Sequence, residues 1–317
     1  MNKIDFKPKI SVVIPAYNRN ELLKRTLKAL LNQSIKIKDY EIIVVGCKKN
    51  KTKKVFDEIK TKNIFFYEID SDFPDRKRNF GILKAKADLI AFTDDDVTPK
   101  NNWLEELIVL FKNPEIAGIE GKTVGHSKGV FYHSPQNISG NYFPACNIAF
   151  RKNILRKVKG FDENYNFFRE DTDLAFRVLS NNKKIAFAPN AIVYHPPRKI
   201  SRLSILKELF LIKGDVRLYK KFPQLYKKTF GFICRGGLKQ ALFAWPSFLL
   251  LIFFSLNNHW IFFFGLLLII IFVKYLIGLK GKKYSFFDAF SYILISYLRD
   301  LLFPFFFLFY YFSVSLK

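Results

Sequence analysis

The sequence predicts an α/β domain with a mostly parallel sheet over residues 1–198, followed by an α-helical membrane region. The α/β domain is indicated by short apolar runs that alternate with segments of helical periodicity. The membrane region is indicated by a change in composition, because the chain from residue 241 onward consists mainly of Phe, Leu and Ile. A formal net charge of +25 further points to an anionic partner: nucleic acid, a membrane surface or a phosphate-bearing substrate.

The strands and helices of the first domain follow from these periodicities. Strands are predicted at Lys9–Pro15, Tyr40–Gly46, Asn63–Ile69 and Asp88–Asp94. Helices are predicted at Glu21–Gln33, near Lys53–Lys60, at Asp75–Ala87 and over the segment PKNNWLEELIVLF. A sheet built in this way binds ligands at the carboxyl ends of its strands, where the segments PAYNR, VGCKK and TDDD fall.

Residues 199–240 are strongly basic, and Leu203, Leu206 and Phe210 recur among them at helical spacing. This pattern predicts a basic amphipathic helix at an anionic membrane interface. An ordinary surface helix of the first domain is the alternative interpretation.

The tail, residues 241–317, contains apolar runs of the length that membrane helices need. Residues 241–279 predict a tight membrane hairpin, and residues 286–316 a third apolar segment that either crosses once with a kink or lies partly in the interface. The basic segment KGKK, residues 280–283, is expected in the cytoplasm. The amino terminus lacks a signal-peptide pattern, and three widely spaced cysteines fit a reducing compartment. We therefore expect a multi-pass protein of the plasma membrane with its first domain in the cytoplasm.

Three adjacent carboxylates, Asp94, Asp95 and Asp96, follow the apolar run LIAF. Like charges at the end of a buried strand repel one another, so something must compensate them. Capping of the next helix explains one carboxylate at most. A divalent cation explains the cluster better, because Mg²⁺ and Mn²⁺ prefer carboxylate oxygens and bridge to substrate phosphates.

Several segments in order resemble a known family. They are VVIPAYNR, RNFGI, FTDDDVTPKNNWLEEL, IEGKT, ACNIAFRKNIL, GFDENYNFFREDTDLAFRVL and APNAIVYHPPR. Together they resemble the family 2 inverting glycosyltransferases, which have the Rossmann-like GT-A fold. The resemblance covers residues 9–198 and implies a metal-dependent transferase that uses a nucleotide-diphospho-sugar.

The resemblance implies roles for particular side chains. The nucleotide sugar would be bound by Pro15, Ala16, Tyr17, Arg19, Arg78, Asn79, Asp94 and Asp95. Mn²⁺ or Mg²⁺ would be held by Asp96 with Asp94 and His195. For His195, capping of a strand by a partly buried ring is the alternative.

The catalytic base of an inverting transfer takes a proton from the acceptor hydroxyl. The acidic pair of the family falls on Glu170 and Asp171, and the resemblance implies that Asp171 acts as the base. The same carboxylates could simply favour a helix amino terminus. Nearby arginines, Arg151, Arg177 and Arg198, are candidates for diphosphate contact or for surface charge.

One departure from the family pattern concerns the nucleobase. Members usually carry an aspartate after the second strand, where this chain has Gly46 and Cys47. Recognition of the base must then come from elsewhere, such as Glu41 or a backbone group. UDP remains the first expectation for the nucleotide, on the strength of the resemblance.

These features leave several functions open. The leading interpretation is a membrane-anchored glycosyltransferase with a lipid-linked or growing-glycan acceptor, and the runner-up is a polyprenyl-phosphate glycosyltransferase. A catalytically silent membrane scaffold that retains the fold is the non-enzyme alternative. Nucleic-acid binding is disfavoured, because the aromatic residues cluster in the apolar tail instead of alternating with basic ones. No QxxRW-type element follows the acidic pair, so one or a few sugars are expected per acceptor.

Overall fold

The structure is a computed structural model that describes residues 7–49, 59, 61–126, 129–165, 167–256 and 261–316. The described residues form two compact units. The first unit contains residues 7–126 and 134–196, and the second contains residues 129–133 and 197–316, within those limits. The change of unit after residue 196 lies two residues before the end of the predicted first domain.

The described helices and strands are as follows, in chain order: β1 (Ile10–Pro15), α1 (Asn20–Leu31), β2 (Tyr40–Cys47), β3 (Ile64–Ile69), α2 (Pro74–Lys84), β4 (Leu89–Phe92), β5 (Thr98–Pro99), α3 (Trp103–Leu110), β6 (Ile116–Gly125), β7 (Tyr132–His133), β8 (Ile148–Arg151), α4 (Lys152–Lys157), α5 (Glu170–Ser180), β9 (Lys184–His195), β10 (Arg198–Lys199), α6 (Ser204–Lys221), α7 (Pro223–Phe230), α8 (Arg235–Ser255), α9 (Ile261–Ile277) and α10 (Phe286–Ser313). The predicted helix near Lys53–Lys60 falls almost entirely outside the described residues.

The first unit is organised by one sheet with the strand order β3-β2-β1-β4-β8-β6-β9-β5. Strands β1 to β4 are parallel to one another, β8 runs antiparallel to both β4 and β6, and β9 is again parallel to β6. Strands β1 and β2 are buried along their whole lengths, as a sheet covered on both faces requires. The predicted α/β fold with a mostly parallel sheet is confirmed.

Helix α2 packs unusually close to β1, which explains the glycine in the segment RNFGI. A Cβ atom added at Gly81 would lie 2.3 Å from Cγ1 of Val13. The helix ends at Lys84 rather than at Ala87, because two following amides bind side chains of the sheet: the N–H of Lys86 donates to Glu41, and that of Ala87 to the hydroxyl of Ser11.

The helix predicted after the aspartates also begins later than expected. Thr98 and Pro99 form strand β5, which pairs antiparallel with Val193 and Tyr194 of β9. Helix α3 therefore begins only at Trp103, whose indole is fully buried. This short strand places the aspartate segment beside the end of β9.

Where the structure describes it, the second unit is helical apart from the pair of short strands β7 and β10. Helix α8 begins at Arg235 rather than at residue 241, and α10 continues through Pro304 without interruption. Within the described ranges, two segments are long and apolar enough to cross a membrane, Gly236–Ser255 and Phe286–Ser313, whereas Phe262–Ile277 is shorter. The predicted hairpin loop at residues 257 and 258 lies outside the described residues.

Candidate active site

The three consecutive aspartates occupy different environments at the carboxyl end of β4. Asp95 is fully buried, and its carboxylate accepts a hydrogen bond of 2.6 Å from the backbone N–H of Tyr17. The guanidinium of Arg19 pairs with Asp95 through one nitrogen and with Asp96 through another. Asp94 is partly exposed and pairs instead with Arg78. Helix capping does not explain the cluster, since the N-cap residue of α3 is Asn102.

Asp95 joins the two loops that follow β1 and β4. Burial raises the pKa of its carboxyl to about 7, although Arg19 opposes the shift and the hydrogen bond from Tyr17 does so too. Both oxygens are occupied by these partners. Among the aspartates, Asp95 therefore holds the loops together, while Asp94 and Asp96 remain available for a ligand.

Asp94 and Asp96 converge with His195, which ends strand β9. One ligand atom from each of the three residues lies within 4.8 Å of the others. The position of Asp96 is also fixed through its backbone, because its carbonyl accepts a hydrogen bond of 3.2 Å from Nη2 of Arg25. Two carboxylate oxygens and one imidazole nitrogen suit Mn²⁺ or Mg²⁺, and the histidine favours Mn²⁺ of the two.

The acidic pair lies at the amino end of helix α5 and is linked to the aspartates by one buried side chain. Arg78 donates from Nη2 to Asp94 at 2.9 Å and from Nη1 to Glu170 at 3.0 Å. Burial alone would lower the pKa of Arg78, but the two carboxylates outweigh it and raise the pKa above its usual value. Arg78 therefore stays charged and fixes the spacing between the two acidic groups.

Asp171 is held differently from its neighbour Glu170. Its carboxylate accepts from the backbone N–H of Ala145 at 3.1 Å and from that of Thr172 at 2.7 Å. Burial raises the pKa of both acidic side chains, and repulsion by Asp171 adds to the shift of Glu170. Among the described residues no arginine pairs with Asp171, which makes it the better placed of the two to accept a proton.

The backbone before α5 is strained in a way that orients the acidic pair. Phe168 and Arg169 have φ values of 73° and 74°, in the left-handed region that non-glycine residues rarely adopt. Such residues cost roughly 1–3 kcal/mol each and are found mostly at functional sites. The strain turns the chain sharply so that the helix starts at Glu170.

Glu120 was not anticipated from the sequence, and it supports the amide that holds Asp171. It is buried on β6 and accepts hydrogen bonds from the backbone N–H groups of Asn141 at 2.6 Å and Phe143 at 3.0 Å. Both donors have positive φ, so the loop needs this anchor to keep its shape. The loop leads directly to Ala145. The sequence signal was a lone carboxylate within the otherwise apolar strand IAGIEG.

Lys77 was also missed. Its ammonium is fully buried, donates to the carbonyl of Ala16 at 2.8 Å and lies 4.4 Å from the ring centre of Tyr17. Burial lowers the pKa of this lysine. It supports the β1 loop from behind, and nothing in the sequence distinguishes it from the many exposed lysines.

Three of the predicted nucleotide ligands make contacts within the fold. Asn79 donates to the carbonyl of Phe161 and to Glu163, and accepts from the N–H of Phe161, so its amide fastens a loop rather than facing the aspartates. Pro15 and Ala16 are buried at the end of β1 and support the loop that carries Tyr17 and Arg19. The nucleotide-binding roles of these three residues stay predictions.

Glu41 cannot recognise the nucleobase. It lies at the amino end of β2, where it accepts from Ser11 and from the N–H of Lys86, whereas the site lies at the carboxyl ends of the strands. Arg151 and Arg177 are likewise occupied: the former binds backbone carbonyls, and the latter pairs with Asp173.

Comparisons with known proteins bear on the family and the fold of the chain. Residues 11–176 match the model of the family described as Glycosyl transferase family 2. A pre-mycofactocin glycosyltransferase of Mycobacterium tuberculosis is 30% identical over 190 residues, which are 54% of this chain and 39% of that protein. The O-antigen chain rhamnosyltransferase RfbN of Salmonella typhimurium is 25% identical over 292 residues, covering 80% of this chain and 90% of that protein. The chain thus spans well under half of the mycobacterial relative.

A solved structure supports the fold. The crystal structure of Staphylococcus aureus TarS 1–349 in complex with UDP aligns with a TM-score of 0.53 at 15% identity. The alignment covers 93% of this chain and 91% of that one.

Proposed function

The chain belongs to glycosyl transferase family 2, and we propose that it transfers a sugar, with inversion, from a nucleotide-diphospho-sugar to a cell-envelope acceptor that is lipid-linked or a growing glycan. One observation carries this proposal: Arg78 binds both Asp94 of the candidate metal group and Glu170 of the acidic pair. The guanidinium of Arg78 therefore bridges the carboxylate that would bind the donor and the acidic pair that would activate the acceptor. RfbN, which acts on an O-antigen chain by its name, supports the choice of a cell-envelope glycan.

Asp94, Asp96 and His195 would hold Mn²⁺ or Mg²⁺. When bound, the ion would supply Lewis acidity and neutralise charge on the diphosphate leaving group. The protein contributes an array that is already assembled, because Arg19 and Arg78 each fix one oxygen of a ligand carboxylate. Asp95 links the loop that follows β1 to the loop that follows β4 and so supports these two carboxylates.

A UDP-sugar is the donor we propose first. The fold neighbour TarS has been crystallised with UDP, and the loop after β1 presents Tyr17 and Arg19 beside the aspartates. Gly46 and Cys47 stand where the family usually has a carboxylate for the base. Backbone groups at the carboxyl end of β2 are therefore the groups we assign to base recognition.

Asp171 is the base that we assign to the reaction. Removing a proton from the acceptor hydroxyl while that oxygen attacks the anomeric carbon needs a carboxylate with a free lone pair and a raised pKa. Asp171 is partly exposed, is oriented by the amides of Ala145 and Thr172, and has its pKa raised by burial. Glu170, held by Arg78, orients the pair.

The apolar helices of the second unit support membrane association, with the first unit on the cytoplasmic side. A membrane-held enzyme can act on an acceptor that never leaves the bilayer. A polyprenyl phosphate is the second candidate acceptor, since its phosphate oxygen needs little help from a base. The exposed apolar side chains of α8 and α9 favour both acceptors over a freely soluble one.

The test is a thermal-shift titration of the detergent-purified protein with a panel of nucleoside diphosphates, with and without Mn²⁺. Wild type, Asp96→Asn and the control Asp88→Asn, whose carboxylate is exposed, are compared. We expect one diphosphate to stabilise the wild type and the control only in the presence of metal. Asp96→Asn should lose this stabilisation.

Release of diphosphate from the matching sugar nucleotide then measures the reaction. Stabilisation without turnover on any lipid or glycan acceptor would favour the silent scaffold. Absence of stabilisation by any diphosphate, in protein with a sharp melting transition, would refute the donor proposal itself.

A further inference from the structure

Helices α6 and α10 of the second unit run side by side in the same direction. Glu208 pairs with Arg299 at 2.7 Å, and the ammonium of Lys220 donates to the carbonyl of Val314 at 2.9 Å. Between these contacts the rings of Phe210 and Phe306 pack edge to face. Residue numbers therefore increase in the same order along both helices, as expected for a parallel pair.

The charges of α6 determine where this pair can lie. Seven of its eighteen residues are Lys, Arg, Asp or Glu: Lys207, Glu208, Lys213, Asp215, Arg217, Lys220 and Lys221. A helix of this composition cannot lie in hydrocarbon, because each buried charge costs several kcal/mol. Since α10 follows α6 so closely, the membrane interface is the place that suits both helices.

The opposite face of α10 suits the acyl chains of a bilayer. Large exposed apolar side chains recur along it at helical spacing, among them Phe290, Leu294, Leu298, Phe305, Phe309 and Phe312. One helix pair thus has charges on one side and an aromatic stripe on the other, as interfacial helices do. This geometry favours the interfacial alternative for the third apolar segment.

A cavity of about 360 Å³ opens where α6 meets the end of α10. It is lined by Lys213, Arg217, Phe309, Tyr310, Ser313, Val314 and Ser315. The two cations are four residues apart and so share one face of α6. Lys220 lies three residues after Arg217 on the same face of α6, and its hydrogen bond to the carbonyl of Val314 fixes the chain that follows α10.

The lining has the chemistry of a phosphate site. It offers two cations and two serine hydroxyls, and none of the described residues that line it carries a carboxylate. Arginine and hydroxyl donors match phosphate oxygens well. Phe309, which is exposed, belongs both to the lining and to the apolar stripe, so a ligand here would have its phosphate beside acyl chains.

We propose that this cavity binds the phosphate headgroup of an anionic glycerophospholipid while α10 lies in the plane of the membrane. The cavity shares no residue with the candidate active site, and the proposal holds whether or not the chain transfers sugars. It would anchor the second unit at the surface of anionic membranes. The charge of +25 is consistent with this partner.

The test measures the affinity of the protein, in a neutral detergent, for dihexanoyl-phosphatidylglycerol by native mass spectrometry. The double variant Lys213→Gln/Arg217→Gln removes the two cations of the lining. The matched control Lys227→Gln/Lys228→Gln removes two exposed cations of α7. We expect roughly 30-fold weaker binding in the first variant, or about 2 kcal/mol for two cations, and little change in the control.

Three further arms decide the outcome. The swap Lys213→Arg/Arg217→Lys keeps both charges and should restore binding, which separates loss of charge from misfolding. Equal loss in the control variant, or none in the cavity variant, would overturn the proposal. Binding of glycerol phosphate as tight as that of the lipid would assign a soluble phosphate instead, and a preference for farnesyl phosphate would assign the acceptor lipid.

Discussion

Nε2 of His195 lies 3.5 Å from Oδ1 of Asp96, while Nδ1 of the same ring lies 3.0 Å from the carbonyl oxygen of Pro196. A carbonyl only accepts hydrogen bonds, so Nδ1 carries a proton. In the neutral ring Nε2 is then an acceptor, and it faces a carboxylate oxygen, which is also an acceptor. A cation between them removes this conflict, and the orientation of a metal-binding histidine by a backbone carbonyl is common.

Replacing His195 by alanine should therefore weaken Mn²⁺ binding. One nitrogen ligand is lost while both carboxylates remain, and we expect an affinity lower by roughly a hundredfold. Titration of Mn²⁺ followed by electron paramagnetic resonance, in the presence of the diphosphate that binds, measures the change. His126→Ala is the control, since His126 is an exposed histidine after β6. Unchanged Mn²⁺ affinity in His195→Ala would remove His195 from the metal group.

Asp171→Asn should lower kcat by roughly a thousandfold, within the range of general base catalysis. The amide keeps the size of the side chain but cannot take up a proton. Its single oxygen can accept from Ala145 or from Thr172 but not from both, because the two amides donate to different oxygens of the aspartate. Because the donor does not contact this side chain in our assignment, KM for the sugar nucleotide should change little. Steady-state kinetics with a hydroxyl acceptor measures both constants.

The same variant also discriminates between acceptors. With a polyprenyl phosphate, whose oxygen is already ionised, the loss in kcat should be small. Asp88→Asn serves as the control with an exposed carboxylate. If Glu170→Gln reduced kcat with a hydroxyl acceptor and Asp171→Asn did not, the roles of the two residues would be exchanged.

Arg78→Met should destabilise the first unit by about 3 kcal/mol, because removing one partner of a buried ion pair leaves uncompensated charge. Both Asp94 and Glu170 lose their arginine, and Glu170 is 7% exposed. Urea unfolding in detergent, followed by tryptophan fluorescence, measures the free energy of unfolding. In the control Arg76→Met, an exposed guanidinium 3.5 Å from Glu163 is lost, which should cost less than about 1 kcal/mol. Equal losses in the two variants would show that Arg78 is not a linking residue.

Much of the fold was predictable because its signals are local. The apolar runs of β1 and β2 and the turn residues after them identify the parallel part of the sheet. The acidic cluster after β4 was a local signal of the same kind, whereas the pair at Glu170 and Asp171 was identified through the resemblance to family 2. The resemblance to family 2 added His195, which lies 99 residues beyond Asp96 in the chain.

The remaining features depend on contacts between distant residues. Asp95 turns inward only because the amide of Tyr17 and the guanidinium of Arg19 are brought to it. Asn79 likewise faces Phe161 because the fold brings the backbone of Phe161 within hydrogen-bond distance of its amide. Glu41 is a different case, because its place at the start of a predicted strand already put it at the wrong end of a parallel sheet.

Asp75 should make the stability of the first unit depend on pH. Its side chain is fully buried at the start of α2, and Oδ2 has no hydrogen-bond partner among the described residues. Burial raises the pKa of this carboxyl from 3.8 to about 6, against the hydrogen bond from the amide of Arg76. The folded state therefore binds the proton more tightly than the unfolded state. The free energy of unfolding should fall as pH rises from about 4 to about 6 and level off above that.

Asp75→Asn removes this dependence while Oδ1 can still accept from Arg76. Relative to the wild type, the variant should gain stability across that pH interval, by at most about 3 kcal/mol above pH 6, since one unit of pKa corresponds to about 1.4 kcal/mol. Urea unfolding of both proteins at several pH values measures the difference. Asp88→Asn, with its exposed carboxylate, should show a constant difference from the wild type. A difference for Asp75→Asn that is equally constant would mean that Asp75 is ionised in the folded protein throughout, with its charge compensated by Arg78 or Arg76.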